Sequence, residues 1–191
     1  MTKKRNRLNR AVAALLISAV SGVAFPAFAQ GADTAEVDRL LEELAKPEQP
    51  GWEQIEDQIA REWSKSGSPA MDLLLQRARD AMEDDDNETA IGHLTALTDH
   101  APEFAEGWHT RATAYFRAGY YGLALDDIRQ ALLLEPRHFG AMIGLATILR
   151  EFGDRERALE VLRMAQEIHP HRPNVNDGIE ELSVMLEGEA L

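Results

Sequence analysis

Apolar side chains return along this chain at helical spacing. Trp108, Ala112, Tyr115 and Phe116 fall at i, i+4, i+7 and i+8, which makes one stripe of a first helix. Leu123, Ala124, Ile128 and Ala131 make the stripe of a second helix. Between them lies Ala118-Gly119-Tyr120-Tyr121, where glycine can take a left-handed conformation and close the first helix. Phe152-Gly153-Asp154 stands at the same place one unit later. The pattern predicts an all-α chain of paired amphipathic helices.

The pairs repeat. Pro102, Pro136 and Pro170 are 34 residues apart, and on that interval Ala78 aligns with Ala112 and Ala146, and Ala90 with Ala124 and Ala158. Fixed self-similarity at this length marks a stacked repeat. Alanine recurs where two helices must approach closely, and each proline stops a second helix because it has no N–H to offer.

With these residues in place, the chain resembles the tetratricopeptide repeat (TPR) family. Trp108, Ala112, Tyr115, Ala124, Ile128, Ala131 and Pro136 carry the likeness in the middle unit. Met142, Ala146, Leu149, Ala158, Leu162, Ala165 and Pro170 carry it in the last, and Leu74, Ala78, Ala90, Leu94 and Pro102 in the first. The first unit departs at its turn, where Glu83-Asp84-Asp85-Asp86-Asn87 replaces the glycine. Arg77 and Arg111 replace a commonly apolar residue. The resemblance implies a right-handed solenoid of helix–turn–helix repeats, with units at 71–104, 105–138 and 139–172.

The flanks extend the stack. Ser68-Pro69 is placed to open the first repeat helix as N-cap and first helical residue. Residues 173–191 hold the apolar stripe Val175, Ile179, Leu182, Met185 and Leu186 opposite Asp177, Glu180, Glu181 and Glu187, as a capping helix requires. Residues 30–68 form an N-terminal helical extension with two stripes. Val37, Leu40, Leu41 and Leu44 make one, with Asp33 and Glu36 placed as a capping box. Trp52, Ile55, Ile59 and Trp63 make the other. Two tryptophans are costly to leave in water, so the expectation is a pair packed on the first repeat as a partial repeat. The alternative is a separate docking element on a linker.

Charge separates a leader from the rest. Residues 1–29 carry Lys3, Lys4, Arg5, Arg7 and Arg10 and no carboxylate, then an apolar run, then Ala27 and Ala29. These are the parts of a signal peptide cleaved near Ala29, which points to the periplasm; an uncleaved inner-membrane anchor is the alternative. The whole chain has 20 basic and 33 acidic residues and a net charge of −13. Without the leader's five cations, 15 basic residues face 33 acidic ones, a net of −18. Such acidity disfavours nucleic acid and anionic lipid as partners. No stable membrane insertion is expected once the leader is removed.

Candidate chemistry is sparse. The absence of cysteine excludes disulfides, thiolate zinc sites and a cysteine nucleophile. His169-Pro170-His171, with His138 one repeat earlier, gives two close imidazoles without a secure third ligand. The acidic run at 84–88 lacks the glycine and closing glutamate of a calcium loop. No nucleophile elbow, phosphate loop or dinucleotide fingerprint occurs, so no enzyme, cofactor or metal is expected.

The resemblance implies that the first helices of the repeats line a concave face. On it the expected groove residues are Leu75, Arg79 and Met82 in the first unit and His109, Thr113, Phe116 and Arg117 in the second. Ile143, Thr147 and Arg150 complete it in the third. Arginine there can hold a carboxylate or carbonyl, or instead pair with its own neighbours such as Glu106. The function expected is a non-enzymatic adaptor binding a protein or peptide segment. Alternatives are a self-associating structural component, with a homo-oligomer left open, and a metal-binding role around His169 and His171.

Overall fold

The computed structural model describes residues 32–189, and the leader expected at 1–29 lies outside them. Among the described residues there are nine helices and no strand. α1 (Thr34–Leu44) and α2 (Trp52–Trp63) form the N-terminal extension. Three helix pairs follow where the repeats were expected, α3 (Pro69–Glu83) with α4 (Asn87–His100), α5 (Ala105–Arg117) with α6 (Tyr121–Leu134), and α7 (Phe139–Glu151) with α8 (Arg155–Ile168). α9 (Pro173–Glu189) ends the stack.

The alanine register sets the crossings. Ala78, Ala90, Ala112, Ala124, Ala146 and Ala158 are no more than 2% exposed. Around them, apolar clusters join each pair to the next: Leu75, Leu94 and Leu97 meet Ala114, and Ile128 meets Ile148. At the far end Leu159 and Leu162 meet Val175 and Leu182 of α9, whose Met185 stays exposed rather than buried. The prolines stand just beyond second helices capped by Ala101, Glu135 and His169. Trp108 donates its indole N–H to the Pro102 carbonyl at 2.8 Å and so ties α5 to the preceding turn.

The three intra-repeat turns are one device with two chemistries. Asp85, Gly119 and Gly153, again 34 apart, all have positive φ, at 58°, 80° and 75°. The residue after each donates its N–H back into the first helix, from Asp86 to Ala81, Tyr120 to Tyr115 and Asp154 to Leu149, each at 2.8 Å. The acidic turn of the first repeat therefore keeps the glycine geometry. Aspartate takes the left-handed region at lower cost than most side chains, and Asp86 then caps α4 through Thr89.

Two expected caps are only half formed. Ser68 occupies the N-cap of α3 with Pro69 following, but its hydroxyl makes no capping bond. Asp33 accepts the Ala35 and Glu36 N–H groups, whereas the Glu36 carboxylate turns to Arg39 instead of closing a box.

The extension does not stack on the first repeat. Its stripe of Val37, Leu40, Leu41, Leu44, Ile55 and Ile59 closes on Phe139 and Ile168, at the turns that enter α7 and leave α8. Asp38 pairs with Arg137, and the His171 imidazole meets the Lys46 carbonyl at 2.8 Å. The pair is a strap across the inter-repeat turns of the second half of the stack. Its reason lies in the partners: Phe139, a His138 ring stacked on Trp63 and a His169 ring edge-on to Trp52 give the tryptophans aromatic contacts that α3 lacks.

Candidate functional site

α5 and α7 stand side by side on the inner face and leave a cleft of about 230 Å³ between them. His109, Thr113 and Phe116 of α5 face Ile143 and Thr147 of α7, over a floor of Ala112, Ile128 and Ile148. Two glycines on α7 border the space. A Cβ at Gly140 would sit 3.2 Å from the His109 ring, so a side chain there would require that ring to give by a few tenths of an ångström. A Cβ at Gly144 would meet only Ile128 at 3.5 Å, and any longer side chain would enter the cleft.

Five of the ten expected groove residues thus line the cleft, and the other five do different work. Leu75 and Met82 are 2% and 8% exposed and belong to the core of the first repeat, because α3 turns that face toward α4. The three arginines are engaged within the molecule. Arg79 donates to Glu106 at 2.5 Å and to the Ser64 hydroxyl at 3.0 Å. Arg117 donates to the Met82 carbonyl at 2.9 Å, and Arg150 to Glu181 at 2.8 Å.

Glu106 is the hub beneath the cleft. Its carboxylate is nearly buried and meets Arg79 through one oxygen and His138 through the other at 3.0 Å, with His109 at 3.6 Å. Burial pushes this carboxyl up, but His109 and His138 outweigh burial and hold it well below the ordinary carboxylate range. His138 is pushed down, first by burial and then by His109, against the pull of Glu106. The Trp63 ring stacks on His138 at 4.3 Å, so the end of the strap, the hub and the cleft share one buried network.

A second carboxylate–imidazole pair fixes the strap's other end. Glu56 accepts from His169 at 2.8 Å and from Arg172 at 2.7 Å. Burial raises this carboxyl, and the His169 and Arg172 contacts lower it further than burial lifts it. His169 and His171 are therefore held by separate groups, Glu56 and the Lys46 carbonyl, and clamp the strap rather than converge on one point.

Glu106, His109 and His138 do bring ligand atoms within 4.8 Å of one another. The donor set does not fit a cation, however. His138 Nδ1 accepts the Ala141 N–H at 3.2 Å, so in the neutral ring Nε2 carries the proton directed at Glu106. The guanidinium of Arg79 already sits on the same carboxylate.

From Phe116 an aromatic ladder leaves the cleft for the edge of the intra-repeat turns. Phe116 meets Tyr121 edge-on at 5.4 Å, and Tyr121 meets Phe152 at 5.9 Å. Tyr120, Leu123 and Phe152 are exposed there. Sequence reasoning named Glu106 as a partner for a groove arginine, as Arg79 shows, but missed Gly140, Gly144 and Glu56 as organising residues. The glycines carry no consensus signal, and a buried glutamate looks like any other among 33 acidic residues.

A family model described as tetratricopeptide repeat matches residues 105–138. A TPR repeat-containing protein of Rhizobium etli is 33% identical over 153 residues, 80% of this chain and 75% of that protein. Superkiller complex protein 3 of Mus musculus is 29% identical over 109 residues, 56% of this chain and 6% of that much longer one. Among solved structures, the first TPR of Spaghetti (RPAP3), bound to the HSP90 peptide SRMEEVD, superposes with a TM-score of 0.60 at 20% identity. That match covers 63% of this chain and 95% of that one. MamA gives a TM-score of 0.58 at 19% identity, over 76% of this chain and 88% of that one.

Proposed function

Because the chain belongs to the tetratricopeptide repeat family, we propose that it is a non-enzymatic adaptor whose inner groove takes a segment of a partner protein. The observation that carries this reading is the cleft between α5 and α7, bordered by Gly140 and Gly144 and otherwise lined by apolar and threonine side chains and the His109 ring. A scaffold of fixed helices offering one apolar cleft is suited to recognition, with affinity set by the segment that enters it. The structure of Spaghetti's first TPR with its HSP90 peptide supports peptide recognition as a use of this fold. The non-enzymatic reading is supported by the use of both carboxylate–imidazole pairs, at Glu106 and Glu56, to join distant elements.

The site of action in this reading is the bacterial periplasm. The basic, apolar and small-residue segments of residues 1–29 support export, with retention through an uncleaved leader as the alternative. No helix among the described residues is long and apolar enough to cross a membrane. The exported form should begin at Gln30, which N-terminal sequencing of protein from the native host checks; a full-length cytoplasmic chain would refute export.

Photo-crosslinking tests the adaptor reading. A photoreactive residue at Thr113 or Thr147 should capture a partner in cells, and one at the exposed Arg129 on α6 should not. Capture from α6 alone would overturn the groove assignment.

A further inference from the structure

We propose that the segment taken by the groove is a basic one, carrying lysine or arginine around a single large apolar side chain that enters the cleft between α5 and α7. The inference rests on the groove reading and specifies the chemistry of its occupant.

The anchor follows from the size and lining of the cleft. At about 230 Å³ it lies below the roughly 300–1,000 Å³ of sites for drug-sized ligands and suits one side chain. Its walls are Phe116, Ile143 and Ile148, and its two threonines already donate their hydroxyl protons within their own helices. Thr113 donates to the His109 carbonyl at 3.1 Å and Thr147 to the Ile143 carbonyl at 2.9 Å. An apolar side chain there displaces water at no cost to the threonine hydroxyls, and the His109 imidazole is the other polar side chain lining the space.

The charge of the flanks follows from what the groove lacks. An acidic segment or a terminal carboxylate needs free guanidiniums, and Arg79, Arg117 and Arg150 are all engaged internally. A carboxylate would have to compete with these contacts for the guanidinium charge. Cations meet the opposite situation. The turn after α3 is linked to α5 through Arg117 and Met82, and it presents Glu83, Asp84 and Asp85 without a cation partner among the described residues. Next to it Tyr120 bonds Glu88 at 3.1 Å, and the Tyr121–Phe152 ladder offers ring faces that attract cations. Residues 32–189 carry 15 basic against 33 acidic side chains, so the wider field draws the same kind of segment.

Three synthetic dodecapeptides test this with the mature chain by fluorescence polarisation. The first has one phenylalanine flanked by lysines, the second replaces the lysines by glutamates, and the third replaces the phenylalanine by alanine. The lysine–phenylalanine peptide should bind tightest, and loss of its ring should weaken it about tenfold or more. Gly144→Leu should abolish the advantage of the phenylalanine peptide while keeping the fold, since its Cβ meets only Ile128 and leucine favours a helix over glycine. The triple change Glu83→Gln, Asp84→Asn, Asp85→Asn should weaken the lysine peptides and flatten their salt dependence, and asparagine preserves the left-handed turn at 85. Equal or tighter binding of the glutamate peptide overturns the charge assignment and leaves an adaptor with different partners. Equal binding of the alanine peptide, or no effect of Gly144→Leu, overturns the anchor. Binding by none of the three overturns this inference alone, because crosslinking at Thr113 and Thr147 decides the adaptor reading independently.

Discussion

Replacing Arg111 by methionine tests a nearly buried ion pair inside the second helix pair. The guanidinium grips Asp127 with two bonds, at 2.7 and 2.9 Å, and donates a third to Thr98 at 2.7 Å, so it links α4, α5 and α6. It also lies 4.8 Å from the Trp108 ring centre. Asp127 is 5% exposed and Thr98 2% exposed, which leaves little water to replace the lost partner. Methionine fills much of the volume but strands a buried carboxylate, and breaking such a pair from one side costs about 3–5 kcal/mol. For a chain of this size that is a fall in Tm of roughly 6–20 °C. The double variant Arg111→Met, Asp127→Leu should recover most of the loss, because a well-packed apolar pair can replace a buried ion pair at little net cost. Urea unfolding followed by circular dichroism, run as a double-mutant cycle, gives the coupling energy. A single-variant cost below about 1 kcal/mol, or additive effects, would show that the pair behaves as a solvated surface bridge and refute the reasoning.

Acid should destabilise the fold in two stages, seen in the urea midpoint between pH 8 and 4. His138 binds protons more weakly folded than its ordinary 6.5, so its contribution is complete above that pH and is lost as pH falls below it. Glu106 and Glu56 are held below the ordinary 4.5, so theirs is complete above that value and lost on further acidification. Trp63→Ala removes the ring stacked on His138 and packed 5.2 Å from Phe139, and should cost about 2–4 kcal/mol, less than a fully buried tryptophan. Limited proteolysis should then cut near residues 64–68 faster than in the parent chain; an unchanged rate would mean the strap is held elsewhere. Ala124→Phe forces α5 and α6 apart at a fully buried crossing and should cost about 1–3 kcal/mol by thermal denaturation, with no loss of stability as the contrary result.

The sequence by itself determined the repeat, the helices, their crossings and their turns. These depend on short-range periodicity: an alanine every 34 residues and a left-handed residue at the same register need only local geometry to be legible. Even the acidic turn at Asp85 follows the rule that its glycine counterparts show. His109, Thr113, Phe116, Ile143 and Thr147, which the resemblance places on an inner face, were legible as neighbours, and they line the cleft between α5 and α7. Only the tertiary structure decided where the strap lies and what the arginines hold. Glu56 meets His169 across 113 residues and Lys46 meets His171 across 125, and no local pattern encodes a pairing at that distance. A charged side chain reads the same in sequence whether water or a buried partner satisfies it. The choice is made by packing, which places Glu106 among Arg79, His109 and His138 and leaves Glu83, Asp84 and Asp85 facing solvent.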